Sequence, residues 1–235
     1  MEEERPVLTK YLSWSAAREG MPMCTRNAFK KVVESYASSD PEVMAELSGA
    51  RFENGRLVLK YCGFDVQATY PQGEVSYFGP PPSPGGEITH NEKILLLQYL
   101  TKASGLPVRG QWLSFLELRG GQLHWLPFQK EALEPLAEAY NGRREEFLER
   151  GRQHGGEPFD QGDAGLVVPV LPRLPLVFAL WEGDEEFPPR TIILFDAVSE
   201  AYLSTATLYV LGIQAMIRIW FPGDTRFEEV PSGDS

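Results

Sequence analysis

The densest group of chemically capable side chains lies between Trp181 and Asp196, in the stretch WEGDEEFPPRTIILFD. Carboxylate oxygens are the ligands that hard divalent cations prefer. Two carboxylates of unequal burial can also act as a general acid and a general base. The stretch therefore predicts a divalent-metal or acid–base site, and its candidate ligands are Glu182, Asp184, Glu186 and Asp196.

The same acidic corner also fits a solvent-exposed β-turn between two strands, because adjacent carboxylates repel one another and are costly to bury. In this interpretation Gly183 and Asp184 form the tip, Phe187 and the following prolines anchor it, and Arg190 pairs with an acid. A third interpretation makes the corner an edge that docks a partner protein. The sequence leaves all three open.

Aromatic and imidazole side chains offer a second chemistry, the binding of a metal-containing cofactor such as a corrinoid or haem. A single imidazole suffices as an axial ligand, and His124 is preferred among the three histidines because Trp125 follows it. Trp181 could stack on a planar ligand, and Trp112 could line a pocket, although packing in the core explains each tryptophan equally well. The predicted cofactor-binding residues are Trp112, His124, Trp125 and Trp181.

Several familiar signatures are missing from the sequence. It contains no G-x-S-x-G motif, and its glycine pairs lack the order of a phosphate-binding loop. The histidines are not spaced as metal ligands on one element. The formal net charge of -11 repels phosphate backbones, so nucleic-acid binding is not predicted.

Cysteine use and the apolar runs indicate the cellular setting. Cys24 and Cys62 lie far apart without a CxxC motif, which predicts small core residues and no disulfide or iron–sulfur cluster. The N-terminus MEEERPVLTK lacks the features of a signal peptide. The longest apolar run, Leu208 to Phe221, is short for a bilayer and contains polar residues. We expect a cytoplasmic protein without membrane insertion.

Hydrophobic spacing divides the chain into three parts. Residues 1–48 are predicted to form an N-terminal helical segment, in which Asp40 caps a helix that Gly49 ends. Residues 49–225 are predicted to form an α+β domain, and residues 226–235 a disordered acidic tail.

Within the α+β domain, the period changes to two after Arg51, and Asn54-Gly55 is typical of a hairpin turn. Thr89 and Glu92 have capping-box spacing and predict a helix over 91–103. Further helices are expected over 132–152, with a break near 141–142, and over 205–220. Three apolar runs of strand length precede the last helix and are predicted to be strands: Leu166 to Val170, Leu174 to Trp181 and Thr191 to Phe195. The fold class is therefore α+β, with an antiparallel or mixed sheet of the early meander and the late strands, covered by helices.

Three segments together resemble an uncharacterised bacterial family, a domain of unknown function that is common in anaerobes. They are LLLQYLTKASGLPVRGQWLSFLELRGG at Leu95 to Gly121, LPRLPL at Leu171 to Leu176, and LWEGDEEFPPRTIILFD at Leu180 to Asp196. The resemblance covers roughly residues 40–215. It implies no established activity, but family members often follow a cysteine-rich iron–sulfur module or accompany corrinoid and one-carbon proteins.

This chain departs from the family pattern in two places. The cysteine-rich module is missing, and Ser204 to Thr207 stand where the pattern has Pro-Thr-Glu-Asp, which removes an acidic pair. The resemblance favours an accessory or binding protein that handles a corrinoid or another metallocofactor, with a corrinoid or iron–sulfur protein as partner. The alternatives are a divalent-metal-dependent enzyme that uses the acidic corner, and a protein-interaction domain marked by an exposed apolar patch.

Overall fold

The computed structural model describes residues 26–79 and 87–222 of the chain. Their helices are α1 (Arg26–Ser38), α2 (Pro41–Ser48), α3 (His90–Lys102), α4 (Trp125–Phe128), α5 (Glu134–Tyr140), α6 (Arg144–Gln153) and α7 (Thr205–Trp220). Their strands are β1 (Arg51–Glu53), β2 (Arg56–Tyr61), β3 (Phe64–Thr69), β4 (Val75–Tyr77), β5 (Trp112–Ser114), β6 (Glu157–Pro158), β7 (Ala164–Leu171), β8 (Leu174–Trp181) and β9 (Arg190–Asp196). The fold is α+β, as predicted.

The strands form two separate antiparallel sheets, with the orders β1-β2-β3-β4 and β5-β9-β8-β7-β6. The prediction that the early meander and the late strands share one sheet is therefore wrong. The sheets meet at a corner, where the Cys62 amide donates to the Val170 carbonyl oxygen at 2.9 Å. Hydrophobic period identifies strands but does not say which edges pair.

Tight turns join the strands of the first sheet. Asn54 and Gly55 have φ values of 49° and 71°, so the predicted hairpin turn is confirmed. Cys62 and Gly63 repeat this geometry with φ values of 48° and 85°. Cys62 is fully buried, as predicted, and burial raises the pKa of its thiol. Cys24 lies outside the described residues.

The second sheet packs one face against helices. Leu166 of β7, Phe178 of β8 and Ile193 of β9 are register partners and share that face. The Phe178 ring lies 4.5 Å from the Trp220 ring of α7, measured between centroids. A Cβ atom on Gly151 of α6 would meet Leu166 Cδ1 at 2.2 Å. Helices α6 and α7 therefore cover this face at close range.

The predicted helices are confirmed at nearly the predicted positions. Thr89 and Glu92 form the capping box at the start of α3, and Asp40 caps α2, which ends at Gly49 with a φ of 76°. The helical stretch after residue 132 breaks at 141–142, between α5 and α6. The predicted tail at 226–235 lies outside the described residues. Within the described residues, no helix is both long enough and apolar enough to cross a membrane.

A buried ion pair ties α3, α7 and the first sheet together. Arg218 of α7 donates from Nε and Nη2 to the two oxygens of Glu92, at 2.7 Å and 2.6 Å. Glu92 is fully buried and also accepts from the Tyr61 hydroxyl at 3.0 Å. Burial opposes the charge on Arg218, but the Glu92 carboxylate raises the pKa of the guanidinium above its usual value. The pair lets the mostly apolar helix α7 carry a charge near its end.

Loss of this ion pair is expected to destabilise the fold strongly. Glu92→Gln should lower the free energy of unfolding by ~3–5 kcal/mol, because it leaves the Arg218 guanidinium buried without its carboxylate. Urea unfolding followed by tryptophan fluorescence measures the change. Glu34→Gln is the matched control, because it removes an exposed pair with Lys30 and should cost roughly 0.5 kcal/mol or less. Similar losses in both variants would contradict this account of the pair.

Candidate protein-docking surface

Large apolar side chains are exposed mainly along one stretch of the chain. Five of the eight exposed large hydrophobic residues among those described lie between positions 106 and 126. They are Leu106 (42% exposed), Val108 (43%), Leu116 (39%), Leu123 (81%) and Leu126 (66%). Single exposed apolar residues are ordinary, but such a concentration is typical of an interaction site. The loop 104–111, strand β5 and the residues Leu116, Leu123 and Leu126 are called the β5-edge surface below.

The loop 104–111 is exposed, yet buried side chains hold it in place. Asp196 at the end of β9 is fully buried and accepts the Arg109 amide at 3.1 Å and the Gly110 amide at 2.6 Å. Asp196 also accepts the amide of Val198 at 2.9 Å. On the other side of the loop, the Tyr202 hydroxyl donates to the Leu106 carbonyl oxygen at 2.6 Å. The loop is thus fixed to the rigid end of the sheet.

Leu116 lies on the helical turn Phe115–Glu117, and Leu123 and Leu126 lie on the helical stretch 121–128 that follows it. These three exposed leucines are called the leucine ridge below. Gly120 joins the turns in the left-handed conformation, with a φ of 79°. A Cβ atom on Gly121 would lie 1.8 Å from the Phe115 carbonyl oxygen, so only glycine permits this approach of the two turns. The turn at Gly120-Gly121 therefore sets the shape of the leucine ridge.

A cluster of aromatic rings lies beneath the leucine ridge. Phe115 and Phe128 stack with their ring centroids 4.4 Å apart, and both rings contact Phe195 of β9. Tyr209 of α7 lies 5.8 Å from Phe128, and Gly212 gives Phe128 room to pack against α7. Offset and tilted ring contacts of this kind are favourable and directional. The ridge therefore rests on a fixed base.

A wide helical turn, Gln129–Leu133, follows α4 and leads into α5. Such turns are frequent at functional sites. The Leu133 carbonyl oxygen accepts the buried Thr191 hydroxyl of β9 at 2.7 Å. This bond fixes the turn that follows the ridge to the second sheet, as Asp196 fixes the loop 104–111.

Strand β5 is an edge strand, but its outer side is partly closed. It pairs only with β9 among the described strands and is three residues long. The Ser114 amide and hydroxyl both donate to Glu117 Oε2 at 2.7 Å. A short edge whose amide is already bonded is a poor template for an added strand. Any partner at the β5-edge surface must therefore bind mainly through side chains.

Four of the predicted site residues lie at or beneath this surface. Trp112 is paired with Asp196 in the sheet, and its ring contacts Phe159 at 5.8 Å. His124 and Trp125 are half-buried on the ridge, where the His124 ring lies 5.9 Å from Tyr209. Asp196 anchors the loop.

The other four predicted residues lie at the opposite end of β9, in the acidic corner. Asp184 Oδ1 accepts the amides of Phe187 at 2.7 Å and Glu186 at 2.8 Å, and these bonds lower the pKa of the Asp184 carboxyl. Glu182 Oε1 accepts the Arg144 amide at 3.4 Å. The corner is thus a hydrogen-bonded turn.

Phe187 anchors the predicted turn through its backbone, whose amide donates to Asp184 Oδ1 at 2.7 Å and whose carbonyl oxygen accepts the Asp184 amide at 2.9 Å. Its ring is 67% exposed. One detail of the predicted turn is wrong. The Arg190 guanidinium carbon lies 4.2 Å from the centre of the Trp181 ring, so the guanidinium stacks on an aromatic ring where an acid was expected as its partner. The order of charged residues in the sequence does not show whether Arg190 binds a carboxylate or an aromatic ring.

The four predicted carboxylate ligands do not come together. Asp196 and the acidic corner lie at the two ends of β9, about 20 Å apart at the usual rise of a strand. In the described part of the chain, no group of three or more His, Cys, Asp or Glu side chains is arranged to hold a metal ion. A metal site at the corner remains a prediction from the sequence.

The sequence interpretation missed the exposed residues of the β5-edge surface. Leu123 and Leu126 follow a glycine turn and are spaced by three, so they share one face of a helix. The buried residues Gly121 and Phe128 lie on the other face of the same helical stretch. The sequence does not show which of the two faces is exposed, because both carry apolar residues.

Removal of the Asp196 charge is expected to release the loop 104–111. Asp196→Asn should cost about 2–3 kcal/mol of unfolding free energy, because its amide nitrogen cannot accept the N–H bonds that the carboxylate accepts. Hydrogen exchange at 104–111 should become faster than elsewhere in the sheet. Asp184→Asn, which acts on an exposed turn, should leave that loop unchanged. Unaltered exchange at 104–111 in the Asp196 variant would show that the loop is held by other contacts.

Comparison with known proteins gives the family but no activity. No curated protein matches the chain, and no solved structure matches it. Residues 40–218 match the family model described as a domain of unknown function, DUF3786. This match spans the three segments on which the resemblance was based and includes the whole β5-edge surface. The chain therefore belongs to the DUF3786 family.

Proposed function

We propose that this chain is an accessory protein that binds a partner protein through the β5-edge surface. The observation that supports this function is the concentration of exposed apolar side chains between Leu106 and Leu126. Exposed polar residues such as Gln111 and Gln122 lie among these apolar side chains along the chain. Protein interfaces combine apolar and polar residues in this way.

The rigid base of the surface favours binding. Leu123 and Leu126 project from turns that rest on the Phe115 and Phe128 rings. Binding costs less free energy when the contact residues do not have to be ordered first. Interfaces also concentrate their binding energy in a few well-packed residues near the centre of the patch. The leucine ridge is suited to be that centre.

The first test is site-specific photo-crosslinking in the native host. A benzoylphenylalanine at position 123 should capture one defined protein, whereas the same group at Val43, which is 49% exposed on α2, should not. After purification of that partner, Leu123→Ser with Leu126→Ser should weaken its binding about 100-fold or more, since full burial of a leucine side chain contributes roughly 2 kcal/mol. Val43→Ser should leave the affinity unchanged.

The proposal fails if position 123 captures no more protein than position 43. It also fails if the double leucine variant binds the purified partner as tightly as the parent does. Because both leucines are exposed, the double variant should keep the urea unfolding midpoint of the parent, which separates lost binding from lost folding.

A second candidate function is the handling of a corrinoid or haem, with a corrinoid or iron–sulfur protein as the partner. It is favoured by the position of His124, which lies half-buried between Leu123 and Trp125 on the ridge. Among the described residues, no hydrogen-bond partner reaches the His124 imidazole, whose ring contact is with Tyr209. An imidazole with a ring nitrogen available beside apolar side chains can serve as an axial ligand.

Absorbance titration of the purified chain with cobalamin and with haem tests this function. If His124 is the axial ligand, a saturable spectral change should occur with one of them and should be lost in His124→Ala. His90→Ala is the matched control, since His90 packs against Phe29 at the start of α3. The absence of any spectral change with either cofactor would exclude the function.

A further inference from the structure

We draw no further inference here: the strongest candidate, the exposed leucines of the β5-edge surface together with Arg109 and Arg119, belongs to the surface already described, and nothing in the structure shows what covers it.

Discussion

Helix α7 is apolar around nearly its whole circumference, and this constraint shapes the rest of the structure. Its buried residues run almost without interruption from Thr207 to Trp220. A helix that is hydrophobic on all sides has to be covered on all sides. The second sheet covers one side through Phe178, and α3 and α6 cover others. Two sheets and several helices are arranged as they are because α7 needs neighbours in every direction.

Helix α7 carries one charged residue, Arg218, and that residue is paired with a buried carboxylate. Arg218 lies in the last turn of the helix, where a cation also suits the helix dipole. Its guanidinium reaches the capping-box glutamate of α3, so Glu92 serves at once as a helix cap and as a counter-ion. The first sheet joins the same group through the Tyr61 hydroxyl. A short polar cluster thus fixes the mutual positions of three elements that apolar contacts alone would leave free to slide.

Local features were predictable from the sequence because they are caused locally. The capping box at Thr89, the hairpin turn at Asn54 and the extent of α7 depend on residues within one or two turns of each other. Sheet partnership was not predictable, since it depends on edges far apart in the chain. The same distinction explains the site. Asp196 was singled out as a reactive carboxylate, but its bonds to the amides of Arg109 and Gly110 span more than eighty residues.

Exposure was the least predictable property, because it belongs to the whole fold. Leu123 and Leu126 have the same residue type and spacing as many core leucines, and nothing in their immediate sequence marks them as exposed. Arg190 shows the same limit in another way, since its partner turned out to be the Trp181 ring across the hairpin. Residue types predict what chemistry is available, whereas topology decides which groups are left facing outward.

The close approach of Gly121 to the Phe115 carbonyl oxygen means that the shape and the chemistry of the leucine ridge depend on different residues. The backbone shape of the ridge depends on Gly121, which has no side chain, whereas its apolar contact surface depends on the exposed leucines. These two properties can therefore drift separately among related chains. A related protein that keeps the glycine but replaces the leucines would retain the same backbone shape and have a different binding specificity. A related protein that keeps the leucines but loses the glycine would place the same side chains in a different spatial arrangement.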